Sequence, residues 1–245
     1  MLKRLSQAIM TRTFFKAISG IDVFEPERVL PLVRAATKGA HAVDVAADAE
    51  LVAAARAAAP ALVIFASATN PEQLVSSGAD VLELGNYDAM YRAGQDPTAQ
   101  EVLDWTRAIV AVTKGRIPLC VTVPGKLPLT EQLDLARTLQ AAGADILQTE
   151  GIIGSPGAEV KVSVIRLAEA LANTKAIREV IDLPIILAGG IDAYSAPYAI
   201  AAGANGVGVG HFIKTQCDET GMAEAVVQVA NALTSARVRG SALYH

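Results

Sequence analysis

Along the chain, two textures alternate. Short runs rich in β-branched residues end in small or polar side chains, and between them lie alanine-rich stretches with apolar positions spaced for one helix face. The runs predict strands over Phe15–Ser19, His41–Ala46, Ala61–Ala68, Val81–Asn86, Ile117–Val123, Asp145–Glu150, Leu183–Ala188 and Gly206–His211. The intervening periodicity predicts helices over Pro26–Lys38, Ala49–Ala58, Pro71–Ser77, Ala99–Thr113, Thr130–Ala142, Val162–Val180, Tyr194–Ala202 and Met222–Leu233. Pro26 and Pro71 stand in first turns, where a missing N–H costs nothing. Asp48 and Thr98 are placed as N-caps. Gly39, Gly78, Gly143 and Gly203 follow helices, where a left-handed residue ends them.

Four of these ends repeat one joint: Gly39-Ala40-His41, Gly78-Ala79-Asp80, Gly143-Ala144-Asp145 and Gly203-Ala204-Asn205, each leading into a strand. Strict strand–helix alternation implies parallel strands joined by right-handed crossovers. Eight such units favour closure into an α/β barrel, a (β/α)8 TIM barrel, over an open doubly wound sheet. The length of 245 residues suits one barrel, which takes about 250. No linker or low-complexity stretch interrupts the pattern, so residues 1–245 read as one barrel domain. The start, MLKRLSQAIM, lacks the apolar core and cleavage site of a secretory leader. Residues 1–12 are expected to form a short amphipathic helix that plugs the barrel bottom.

Composition narrows the partners. Hydrophobic residues make up 52% of the chain, as buried parallel strands require. Aromatics are 4% and the net charge is −4, so neither stacking platforms nor a basic surface for nucleic acid is expected. No run of about 18 apolar residues is present to span a membrane. Cys120 and Cys217 lack zinc spacing, and Cys120 lies in an apolar strand as a core thiol. No His, Asp and Glu cluster has metal spacing, so no metal is expected. A cytoplasmic protein is expected. Barrels often pair through their helices, so a homo-oligomer is the default.

The chemistry concentrates at the strand ends. The seventh strand runs LPIILAGGI and the eighth GVGVGHFI. The loops after strands seven and eight hold phosphate in many barrels. Gly189, Gly190, Gly208 and Gly210 let backbone N–H groups approach an anion, and His211 begins the segment aimed at it. Strand alternation turns Asp44, Glu83 and Thr122 inward, with Gln148 and Glu150 assigned to the same side. The phase of the first strand is ambiguous, so Lys16 faces either way. If it faces inward, one ammonium meets Asp44, Glu83 and Glu150. Such charges are costly to bury unless paired. Two outcomes stay open: a structural ion pair, or a catalytic cluster of Lys16, Asp44 and Glu83 with Lys16 as base or imine former, its pKa depressed by burial. Asn86, Thr122, Gln148 and Glu150 are the candidate substrate ligands. Asn86, Tyr87 and Asp88 stand at the mouth, with Tyr91 and Arg92 closing over it. Lys126 is a mobile cation for an anionic substrate. The glycine-rich TEGIIGSPGAE segment reads as a lid.

Together, KAISG from Lys16, VDVA at Val43–Ala46, ELGNYDAMY at Glu83–Tyr91, VTVP at Val121–Pro124, ADILQTEG at Ala144–Gly151, AGGI at Ala188–Ile191 and GVGVG at Gly206–Gly210 resemble the Ycf23 family. These are proteins of cyanobacteria and algal plastids, also labelled as a domain of unknown function. The resemblance runs from Phe14 to Leu233, and ELGNYD and LQTEG are its most specific parts. It implies a phosphate-binding barrel without an assigned activity, so no catalytic residue transfers. The Pro124-Gly125-Lys126-Leu127 loop departs from the family pattern, which leaves any role of Lys126 specific to this sequence. The tail motif is more faintly similar to thiamin-phosphate, thiazole and histidine-pathway barrels. Three functional expectations follow. They are a lyase or isomerase of a small phosphorylated metabolite, an FMN-binding oxidoreductase using the same glycines, and a non-catalytic phosphometabolite-binding regulator.

Overall fold

The computed structural model describes residues 2–151 and 159–242. Its strands are β1 (Phe14–Ile18), β2 (Ala42–Ala46), β3 (Val63–Ala68), β4 (Val81–Leu84), β5 (Leu119–Val123), β6 (Ile146–Thr149), β7 (Ile185–Leu187) and β8 (Gly206–Val209). They close in sequence order into one barrel, and every neighbouring pair is parallel. The helices are α1 (Leu2–Met10), α2 (Pro26–Ala36), α3 (Ala49–Ala58), α4 (Pro71–Ser76), α5 (Asp88–Arg92), α6 (Ala99–Thr113), α7 (Leu129–Ala142), α8 (Glu159–Arg178), α9 (Ala196–Ala201), α10 (His211–Lys214) and α11 (Glu219–Ala242). The (β/α)8 TIM barrel expected from the alternation is therefore the fold. The α5 turn arises inside a segment read as a loop, and α10 begins on His211, read as the end of the eighth strand, because four or five residues are too few to show a helical period. The expected lid after β6 falls on residues 152–158, outside the described residues.

Two apolar clusters hold the barrel. The larger joins the outward strand residues, such as Val43, Val45, Leu82 and Leu147, to the helix faces. The smaller fills the lumen with Phe14, Val63, Phe65, Val81, Cys120, Ile146 and Ile186, and it includes Leu5, Ala8 and Ile9 of α1. The first helix thus covers the bottom of the barrel with its apolar face. Each large side chain buried this way contributes about 1.5–3 kcal/mol. Phe14 fits because Gly206 is its partner on β8; a Cβ there would stand 2.5 Å from the Phe14 Cβ.

The repeated joint has a structural purpose at the bottom rim. The side chain of Asp80 accepts the Ile64 N–H at 2.8 Å, Asp145 that of Leu119 at 2.8 Å and Asn205 that of Ile185 at 3.0 Å. Each of these three residues, entering an even strand, thereby satisfies a donor on the odd strand before it. Gly78, Gly143 and Gly203 adopt positive φ as expected, but Gly39 does not. There α2 ends on Thr37 in the right-handed region (φ −60°). Gly39 is required by packing instead, since a Cβ would come within 2.9 Å of the Ala230 Cβ on α11. Asp48 caps α3, and Thr98 forms a capping box with Glu101 at the start of α6.

Candidate functional site

A cavity of about 680 Å³ opens at the C-terminal ends of the strands. Its volume lies within the ~300–1,000 Å³ range of small-molecule sites. One wall is the pair of glycine turns after β7 and in β8. Gly189 and Gly190 have φ of 94° and 80°, so the turn is restricted to glycine and carries no side chain into the cavity. A Cβ on Gly208 would meet Ile18 Cδ1 at 2.8 Å, and one on Gly210 the Ile18 carbonyl oxygen at 3.1 Å. All four glycines and His211 line the cavity.

Two cations that sequence reading missed flank these turns. Arg166 of α8 lines the cavity, with its Nε 3.0 Å from where a Gly189 Cβ would stand. It reaches there because Gly151 lets α8 approach; a Cβ on Gly151 would overlap the Arg166 carbonyl oxygen. Lys214, in the last position of α10, also lines the cavity and donates to the Ser19 carbonyl at 2.9 Å. Its position one turn beyond His211 was available as a signal. Arg166 had none, since it sits in a helix that looks like any other in the sequence.

Asn86, Arg92, Gln148, Glu150 and Asp22 also line the cavity. Arg92 pairs with Asp22 at 2.6 Å, both exposed. Glu150 is 4% exposed; its Oε1 accepts from the Tyr91 hydroxyl at 2.8 Å and the Gly125 N–H at 3.2 Å. Burial first, and then the Glu150 carboxylate, push the Tyr91 phenol far up, so it stays a protonated donor. Asn86 stands in the left-handed region at φ 61°, next to Gly85 at φ 147°. A Cβ on Gly85 would overlap Thr122 Oγ1, so the glycine makes room for the inward Thr122. Such a backbone exception at a cavity rim is a common mark of a binding site.

Beneath the cavity lies a second polar group. The phase of β1 is resolved: Lys16 faces inward and is fully buried. Its in-register neighbours are Ala42 and Gly208, which leave space for it. Lys16 Nζ bonds Glu83 Oε2, lies 3.9 Å from Asp44 Oδ2 and sits 4.8 Å from the Phe65 ring centroid. Asp44 Oδ1 accepts from Ser67 Oγ. Gln148 Nε2 donates to Glu83 Oε1 at 2.9 Å and to Thr122 Oγ1 at 3.2 Å. Lys16, Asp44, Glu83 and Thr122 do not line the cavity; of this network only Gln148 does.

The expected depression of the Lys16 pKa is reversed. Burial pulls it down, but Glu83 and Asp44 outweigh burial and hold it above its ordinary value. Lys16 is therefore a protonated ammonium, without the lone pair an imine former needs at neutral pH. Burial and the neighbouring Glu83 charge raise Asp44 to about 7. Burial likewise pushes the Cys120 thiol up, as suits a core thiol. The reading of Lys126 as a mobile cation is also corrected. It pairs with Asp96 at 2.6 Å and lies 4.5 Å from the Tyr91 ring centroid, outside the cavity lining.

A family described as "Protein of unknown function (DUF561)" matches residues 1–239. The chain belongs to the DUF561 family. Relatives of this DUF561 chain bear the name found in the sequence motifs. The "Uncharacterized protein ycf23" of Pyropia yezoensis is 32% identical over 227 residues, covering 89% of this chain and 81% of that protein. That of Cyanidium caldarium is 28% identical, covering 94% of each. Among solved structures, 3-hexulose-6-phosphate synthase from Salmonella typhimurium superposes with a TM-score of 0.68 at 15% identity, covering 91% of this chain and 99% of that one. Thiamine phosphate pyrophosphorylase from Pyrococcus furiosus gives 0.64 at 15%, covering 92% and 98%. At these identities the structural likeness speaks for the fold alone. Among the described residues, no helix is long and apolar enough to cross a membrane.

Proposed function

We propose that this DUF561 protein binds a small phosphorylated metabolite, with the phosphate against Gly189, Gly190, Gly208 and Gly210, and acts on it as a lyase or isomerase. One observation carries the reading: side-chain-free turns at the ends of β7 and β8 stand between Arg166 and Lys214 on one cavity wall. Backbone N–H groups and two cations are what a phosphate dianion requires. The fold neighbours named for phosphate compounds support it by analogy. Glu150 is a buried carboxylate lining the same cavity, and proton transfer to or from the substrate falls to it; His211 and Asn86 serve as further substrate ligands.

Lys16, Asp44 and Glu83 are assigned no contact with the reacting atoms, because they lie below the cavity lining. That placement favours a second reading, a phosphometabolite-binding regulator without turnover. Titration of the purified protein with inorganic phosphate, followed by ³¹P NMR, tests the shared premise. Saturable binding that is weakened about tenfold or more in Lys214→Ala is expected. The absence of saturable binding, or wild-type affinity in both Lys214→Ala and Arg166→Ala, refutes the phosphate site. Added FMN that acquires a bound-flavin spectrum would redirect the proposal to the FMN oxidoreductase. Glu150→Gln separates enzyme from regulator: it abolishes turnover of an identified substrate, whereas a regulator shows no turnover to lose.

A further inference from the structure

The oxygen of the Gln148 side-chain amide is an anomaly. Gln148 is 3% exposed, and its Oε1 has no hydrogen-bond partner among the described residues. A buried acceptor left unpaired calls for an explanation. The other end of the same amide is fully engaged, since Nε2 donates to Glu83 Oε1 at 2.9 Å and to Thr122 Oγ1 at 3.2 Å. The amide cannot turn over without cost, because its oxygen would then face the Glu83 carboxylate oxygen, acceptor against acceptor. Glu83 in turn is held by the Lys16 ammonium, which contacts its other oxygen. The orientation of Gln148 is therefore set from below. Its carbonyl is left for the cavity that Gln148 lines, 3.5 Å from where a Cβ of Gly208 would stand.

We infer that Gln148 Oε1 accepts a hydrogen bond from a hydroxyl of the ligand beside the phosphate, and that Lys16 and Glu83 are positioning residues that hold this acceptor in place. The inference rests on the phosphate reading above and names its substrate class, a hydroxylated organic phosphate. A hydroxyl fits better than an ammonium as the donor. The acceptor is a neutral amide oxygen, and a neutral hydroxyl satisfies it without bringing a further charge into a buried position. The buried polar cluster then serves recognition without touching substrate. It also gives a reason for keeping the Lys16–Glu83 pair in a lumen that apolar residues could fill.

A site built to bond a hydroxyl discriminates against the analogue lacking it, because the site's own group is left unpaired. The test compares inorganic phosphate, glycerol 1-phosphate and n-propyl phosphate on the purified wild-type protein by ³¹P NMR titration. Glycerol 1-phosphate is expected to bind about 10- to 100-fold more tightly than propyl phosphate. Gln148→Met brings that ratio close to one. The shorter Gln148→Asn, which withdraws the carbonyl, does the same and stands in if the first variant fails to fold. Glu83→Gln lowers the ratio as well, because the amide loses its anchor, a change that a merely structural role would not produce. Equal affinities for the two esters in the wild type, or a ratio that survives Gln148→Met or Gln148→Asn, overturn the inference and leave the phosphate site standing. Failure of all three compounds to bind removes the phosphate reading and this inference with it.

Discussion

Replacing Lys16 by methionine isolates the energetics of the buried cluster. Methionine nearly matches the volume of lysine, and the Lys16 side chain is fully buried beside Phe65, so the change removes a charge and opens little space. It leaves Glu83 without the ammonium at its Oε2, and Asp44 without the charge 3.9 Å from its Oδ2. Stranding one partner of a buried pair costs about 3–5 kcal/mol. For a chain of this size, each kcal/mol moves Tm by about 2–4 °C, so Tm falls by about 6–20 °C at pH 8. The double variant Lys16→Met/Glu83→Gln removes both charges of the close pair and recovers most of the loss. Urea denaturation of wild type, both single variants and the double gives the four corners of the cycle. Lowering the pH to 5 shrinks the deficit of Lys16→Met, because Asp44, raised to about 7, is protonated there and no longer needs the ammonium. A loss below about 1 kcal/mol in Lys16→Met, or a double variant no more stable than that single one, refutes the ion-pair account.

Asp44→Asn tests the neighbouring carboxylate through pH. Native Asp44 keeps its proton up to about 7. The unfolded chain gives its own up near 3.9, so the native state holds the extra proton between these values. This contribution to stability is fully present below about pH 4 and is lost as pH rises through 7; the wild-type-minus-variant difference in urea stability falls across that window, by at most ~4 kcal/mol. A flat difference removes Asp44 from the titration. Gly85→Ala places a methyl group onto Thr122 Oγ1 at a φ of 147° and costs about 2–5 kcal/mol, read as a shift in urea midpoint. Leu5→Ala removes a side chain of α1 buried against the lumen residues and costs about 2–5 kcal/mol by the same assay; a loss under about 0.5 kcal/mol means that α1 does not seal the barrel.

Strand alternation in the sequence already pointed Asp44, Glu83, Thr122 and Gln148 to one side, because a period of two leaves no choice once valines and leucines claim the helix-facing side. It was silent on β1, where Lys16 and Ile18 alternate with Ala17 and Ser19 and neither set is plainly apolar. The glycines at the ends of β7 and β8 were legible because close approach demands that residue type. Arg166 was not, because it arrives from α8 and gains meaning only by lying beside Gly189. Depth was equally hidden. Lys16, Asp44 and Glu83 look like a catalytic set in one dimension, yet they lie below the layer that meets the cavity.

By itself the sequence determined the eight-unit alternation, the inward polar set, the glycine turns and the family motifs, since these depend on local period and residue type. The tertiary structure alone decided how far each polar group lies along the barrel axis, which cations come from distant helices, and which way the Gln148 amide points. Those are matters of distance between residues remote in sequence, as when Lys16 meets Glu83 and Glu83 meets Gln148. Burial makes such distances decisive, because a charge or an amide that its neighbours leave unpaired is costly away from bulk solvent.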